Sequence, residues 1–198
     1  MARSSAPATV EPGATSRVGR PRSQAREEEI LEAALESLVA EGYDAMTIEG
    51  IATRVGAGKA TVYRRWRNKA ELVADAIRRH PGLDVPLVDT GDVRADLRTF
   101  LRAMVDAFRG IDGALMSTFT AERIRHPELA AEFDRQFVEN RRAHLRRIVQ
   151  GGVDRAELPA TTDVELLAGV GPALLMQELV YGRKFGPDLA DRIVEQFL

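Results

Sequence analysis

An all-α fold is predicted, with a three-helix helix-turn-helix domain at the N-terminal end and a larger helical domain behind it. Three observations predict it. Apolar residues recur at helical spacing along most of the chain: Ile30, Leu31, Ala34, Leu35 and Leu38 form one stripe. Val93, Leu97, Phe100, Leu101, Met104, Val105, Phe108 and Ile111 form another. Residues 47–72, TIEGIATRVGAGKATVYRRWRNKAEL, read as two short helices around a Gly-Ala-Gly turn, followed by the start of a third. Finally, no acidic residue stands between Gly50 and Ala70, whereas Arg54, Lys59, Arg64, Arg65, Arg67 and Lys69 all do.

Residues 1–23 are rich in Ser, Ala, Pro and Arg, and bury too little apolar surface to order themselves. Their end, Gly19-Arg20-Pro21-Arg22, resembles basic arms that enter a minor groove, although a solvated tail accounts for the composition as well. A first helix is predicted from Arg26 to Glu41, with Gly42 just past its end and Tyr43 folding back on its last turn. Thr47 reads as the N-cap of a helix over 48–55, and Glu49 is well placed for its dipole. Gly56 supplies the positive φ of a tight turn. The next helix is predicted over 59–66, and a third follows the Asn68…Glu71 capping pattern as far as His80.

A helix over 59–66 carries DNA chemistry. Lys59 and Lys69 each fall at a helix start, where free N–H groups favour anions, so both suit a phosphate better than their own helix. Tyr63 lies one turn after Lys59 on the same face. Arg64 is the base-reading candidate, because its fork can take guanine O6 and N7 together. Arg65 and Arg67 are assigned to the sugar–phosphate backbone.

The sequence Thr47…Ile51-Ala52…Val55-Gly56, then Lys59-Ala60-Thr61-Val62-Tyr63 and Trp66…Lys69-Ala70-Glu71-Leu72, resembles the TetR family of transcriptional regulators over about residues 24–80. The resemblance implies an all-helical homodimer that binds a palindromic double-stranded operator and releases it when a small-molecule effector enters the C-terminal domain. It also implies phosphate contacts from Thr47 and the Tyr63 hydroxyl, with Ala60 and Thr61 beside them on the reading helix. Trp66 replaces the family's usual Phe and is expected inside; Gly58 stands where the family commonly has Ser.

After the Pro/Gly-containing joint near residues 81–92, five helices are predicted over 93–111, 114–125, 127–149, 163–183 and 186–198, the third broken by Gly151-Gly152. The segment 163–183 is apolar all round, so it must be buried on more than one side. With the last helix it is the dimerisation candidate, through Leu167, Val170, Leu174, Tyr181, Ile193 and Phe197. Pro172 is expected to kink it. Phe100, Met104, Phe119, Phe137, His144 and Met176 are the candidates for an effector pocket, each also readable as core.

The domains thus expected are 1–23, 24–80 and 81–198. Residues 1–80 carry 13 Lys/Arg against 11 Asp/Glu, and residues 81–198 carry 15 against 19, so the basic charge sits on the reader. There are no cysteines, and the three histidines match no metal spacing; neither metal nor cofactor is expected. No catalytic constellation, secretory signal or membrane span is legible, and a cytoplasmic regulator is expected. The alternatives left open are an activator of the same kind and a ligand- or partner-binding module without operator function.

Overall fold

The computed structural model describes residues 22–83, 85–110, 113–186 and 188–197, and every regular element among them is helical. The basic arm, up to Pro21, and Ile111 of the second apolar stripe lie outside the described residues. No helix among those described is long and apolar enough to cross a membrane.

Helix α1 (Arg22–Ala45) forms around its apolar stripe and buries Ile30, Leu31, Ala34 and Leu38. It starts at Arg22, four residues before the predicted Arg26. Gly42, at φ 79°, takes the chain off the helical path and turns Tyr43 inward. Helix α2 (Ile48–Arg54) is capped by Thr47, whose Oγ1 accepts the Gly50 N–H at 3.0 Å. Gly56, at φ 62°, makes the turn into α3 (Lys59–Tyr63). Asn68 caps α4 (Lys69–Arg78) by accepting the Glu71 N–H at 2.8 Å. The Glu71 carboxylate reaches back to the Arg67 N–H at 2.8 Å, one residue earlier than a capping box would place it.

The reading helix is shorter than the sequence predicts. It ends at Tyr63 rather than Trp66, because the N–H groups of Arg65 and Trp66 both turn onto the Val62 carbonyl, at 2.9 and 3.0 Å. The turn carries the Trp66 ring into the core, where Nε1 donates to Asp75 Oδ2 at 3.0 Å. A buried indole needs an apolar site and an acceptor together, and this turn supplies both.

The C-terminal helices are α5 (Val93–Gly110), α6 (Gly113–Arg125), α7 (Pro127–Phe133), α8 (Glu139–Asp154), α9 (Val164–Val180) and α10 (Leu189–Phe197). A π-helical turn (Asp134–Val138) runs α7 directly into α8. Gly151-Gly152 does not break α8, which continues to Asp154. Gly152 instead lets α8 cross the start of α5: a Cβ there would meet three Val93 side-chain carbons at 3.0–3.2 Å. Helix α9 is continuous through Pro172.

The joint is pinned rather than loose. Arg141 Nη2 donates to the Leu83 carbonyl at 2.7 Å, and His144 Nε2 donates to the Val88 carbonyl at 3.0 Å while Nδ1 faces Arg147 Nη2 at 3.3 Å. Buried Asp96 accepts both the N–H and the hydroxyl of Thr90, at 2.9 and 2.7 Å.

The two halves meet where α1 packs on α6 and α4 on α7. The Tyr43 ring lies between Lys69 Nζ, 4.2 Å from its centroid, and the His126 ring at 4.6 Å. His126 is ringed by Glu122, Asp44 and Glu128 at 3.3, 3.5 and 3.6 Å.

Gly152→Ala should destabilise the chain by about 1–2 kcal/mol through overpacking, whereas Gly151→Ala, whose Cβ meets only the mobile end of Arg155, should be neutral or slightly stabilising in urea unfolding. Burial, with Glu128 and Asp44 nearby, pushes the Tyr43 phenol up to about 12. The fold therefore favours the neutral phenol, a contribution complete below pH ~10 and lost as pH rises through ~12. Urea unfolding from pH 9 to 11.5 should show the wild type losing up to roughly 2 kcal/mol relative to Tyr43→Phe; parallel curves would contradict this.

Candidate nucleic-acid interface

The exposed surface of α2 and α3 contains part of the predicted set. Thr47, Lys59, Ala60, Tyr63, Arg64 and Arg67 are exposed, and Thr61 is half-buried. Lys59 stands at the first position of α3, whose N-cap, Gly58, offers no side-chain acceptor. Lys59 and Arg64 have no hydrogen-bond or ion-pair partner among the described residues. The Tyr63 hydroxyl donates to Glu49 Oε1 at 3.1 Å, and this bond pushes the phenol above its ordinary value. Glu49, read from sequence only as a helix-dipole partner, therefore also orients the phenol across the turn.

Two of the predicted contacts are committed inside the protein. Arg65 Nε pairs with Glu27 at 3.2 Å and Nη2 donates to the Ser23 carbonyl at 3.2 Å; Glu27 also holds Arg79. Arg65 therefore fastens the end of the reader to α1 and α4 and does not extend toward a ligand. Lys69 Nζ donates to the Tyr43 carbonyl and lies 3.4 Å from that of Asp44. A lysine at a helix start was read as awaiting a phosphate; here the orphan carbonyls at the end of α1 use it instead. Arg67 stays mostly in solvent and pairs with Glu71 at 3.1 Å.

Several of the six candidate pocket residues pack into the core of the C-terminal half. Phe119, Phe133 and Phe137 form an aromatic row, with successive centroids 4.9 and 4.8 Å apart. Phe100 and Met104 are core residues of α5, His144 is committed to Val88, and Met176 packs half-buried against the core. A cleft of about 670 Å³ opens elsewhere, between the end of α5, α6 and the exit of α9, and none of the six lines it. Ile124, an apolar residue of α6 left 79% exposed, is among the residues that line it.

Ile193 is buried within its own chain, because α10 packs on α5 with Asp191 held by Arg98 and Arg102 at 3.1 and 2.8 Å. Phe197 is half-exposed. On α9 the outward side is apolar and open: Leu166 is 66% exposed and Tyr181, just past its end, 65%, while Leu167, Val170 and Leu174 are half-buried.

Residues 30–76 match the family described as bacterial regulatory proteins, tetR family, and residues 87–197 match the tetracyclin repressor-like C-terminal domain. The HTH-type transcriptional regulator Rv1556 of Mycobacterium tuberculosis is 33% identical over 175 residues, 87% of this chain and 86% of that one. The DNA-binding transcriptional repressor TetR of Mycobacteroides abscessus is 30% identical over 186 residues, covering 89% and 94%. Among solved structures, the TetR family transcription regulator SCO0332 superposes with a TM-score of 0.61 at 25% identity, over 86% of this chain and 97% of that one. A TetR-family regulator of Mesorhizobium loti shares the fold, with a TM-score of 0.63 at 24% identity over 90% and 98%. An all-helical chain with a helix-turn-helix reader, matched over both halves and along most of its relatives' length, belongs to the TetR family of DNA-binding transcriptional regulators.

Proposed function

We propose that the chain is a homodimeric, cytoplasmic repressor without catalytic activity, which holds a palindromic operator and lets it go when a small organic molecule binds the C-terminal half. The DNA-binding unit is residues 24–80, the dimerisation and effector unit residues 81–198, and residues 1–23 a basic arm. The observation that carries the DNA half is the pair Lys59 and Arg64. Lys59 opens α3 and Arg64 is its C-cap residue; both are exposed, and neither has a partner among the described residues. Arg64 reads a base edge, while Lys59, Thr47, Tyr63 and Arg67 hold phosphates, with Ala60 and Thr61 at the helix surface between them. Arg65 and Lys69 position the reader instead of touching DNA. The open apolar side of α9 supports pairing across a two-fold axis, with Leu166, Val170, Leu174 and Tyr181 facing a second copy. Such a dimer presents two reading helices to half-sites one helical turn apart, about 34–36 Å.

Gel-shift titration on the DNA upstream of the chain's own gene tests the reading. If a dimer neutralises about 8 phosphates, log affinity should fall with log salt at a slope near −7; a flat salt response would contradict the reading. Lys59→Ala should weaken binding on every sequence and lower the slope by about 1 per site. Arg64→Ala should cost about 1–3 kcal/mol and relax preference at one base position; uniform weakening would move Arg64 to the phosphate class.

Sedimentation should give twice the 21.8 kDa chain mass, and the pair Leu166→Glu with Tyr181→Glu should return it to 21.8 kDa and abolish binding to the palindrome. A wild-type chain that sediments as a monomer bound to a half-site would overturn the dimer.

A further inference from the structure

The 670 Å³ cleft of the C-terminal half is a built site with a marked chemical bias. We infer that it takes an amphipathic organic anion, an apolar tail ending in one carboxylate, with Lys184 and Arg183 receiving the head. The volume lies within the range of small-molecule sites. Phe108, Met116, Ile124, Leu179 and Phe185 give it an apolar floor and mouth, and the Phe108 and Phe185 rings stand 5.8 Å apart at its base.

Its charge runs against its surroundings. Residues 81–198 carry a net negative charge, yet among the described residues no Asp or Glu lines the cleft, whereas Arg109, Arg183 and Lys184 do. The three cations are not equivalent. Arg109 Nη2 donates to the carbonyls of Phe185 and Gly186 at 2.9 and 3.3 Å, so it builds the wall. Arg183 is partly engaged, 3.2 Å from Glu178 and over the Tyr181 ring at 5.2 Å. Lys184 is exposed and has no partner among the described residues. A free ammonium beside an apolar cleft whose described lining holds no carboxylate is complementary to an anionic amphiphile and repels a cationic one. Thr120 adds a hydroxyl along the same wall, where the Ser117 hydroxyl already donates to the Ala114 carbonyl at 3.1 Å.

The site also has a route to the reader. Helix α6 forms one wall of the cleft through Met116, Ser117 and Ile124, and one residue beyond its end the His126 ring lies tilted against Tyr43 of α1, with centroids 4.6 Å apart. An occupant that displaces α6 therefore acts on the contact that joins the two halves. This regulatory step rests on the repressor reading; the binding step does not.

Calorimetry on the full chain separates the two. Sodium decanoate should bind once per chain, 1-decanol at least tenfold more weakly, and decyltrimethylammonium not at all. The double substitution Lys184→Gln with Arg183→Gln should weaken decanoate at least tenfold while leaving decanol unchanged, with the helical circular-dichroism signal intact. Equal affinity for decanoate and decanol, undiminished decanoate binding in the double variant, or a cleft closed to all three probes by a second copy of the chain would each overturn the site. Loss of operator binding in the unliganded chain would sink the repressor reading and leave the site standing. Decanoate that binds with this charge selectivity should also lower operator affinity; unchanged operator affinity would overturn the regulatory step.

Discussion

The end of α1 is the point on which the arrangement turns. Gly42 leaves the helical path, and the carbonyls of Tyr43 and Asp44 are left facing the ammonium of Lys69 at the start of α4. A cation there satisfies orphan acceptors of one helix while standing at the wrong end of its own, so α1 and α4 hold each other by electrostatics as well as by packing. The Tyr43 ring lies between that ammonium and His126, which belongs to the C-terminal half. One aromatic residue of α1 thus touches both the start of α4 and the junction between α6 and α7.

Around this point the basic residues divide into two kinds. Arg65 and Arg79 share Glu27, Arg54 pairs with Glu41 at 2.7 Å, and Asp75 holds the Trp66 indole together with Arg78. These pairs tie α1, α2, α4 and the turn that follows α3 into one body. Lys59 and Arg64 stay outside the network, at the first position and the C-cap of the short helix α3, both open to solvent. Rigid support and free charge are both needed for recognition, since a mobile helix would spend binding energy on ordering itself.

In the C-terminal half the same division appears in apolar form. Helix α9 has one side against α5 and α8, where Gly171 approaches Leu101 so closely that an added Cβ would lie 2.8 Å from it. Its other side exposes Leu166 and Val180. The proposed pairing of two copies would cover this surface, and the cleft at the exit of α9 sits beside it.

The helix pattern, the turn glycines, the caps at Thr47 and Asn68 and the basic run of the reader were legible from the sequence, because each depends on residues within a few positions of one another. Trp66 was expected inside through the family resemblance, in which a Phe commonly stands at that position. Where α3 ends, which arginines remain free, and what Lys69 and His144 are for were decided by tertiary structure: their partners, Glu27, the Tyr43 carbonyl and the Val88 carbonyl, lie 26 to 56 residues away in the chain. The same holds for Gly152, which ends a helix by local rules but here lets two helices cross. The cleft was illegible for a related reason: periodicity identifies which residues face inward, but only packing decides where inward-facing surfaces fail to meet.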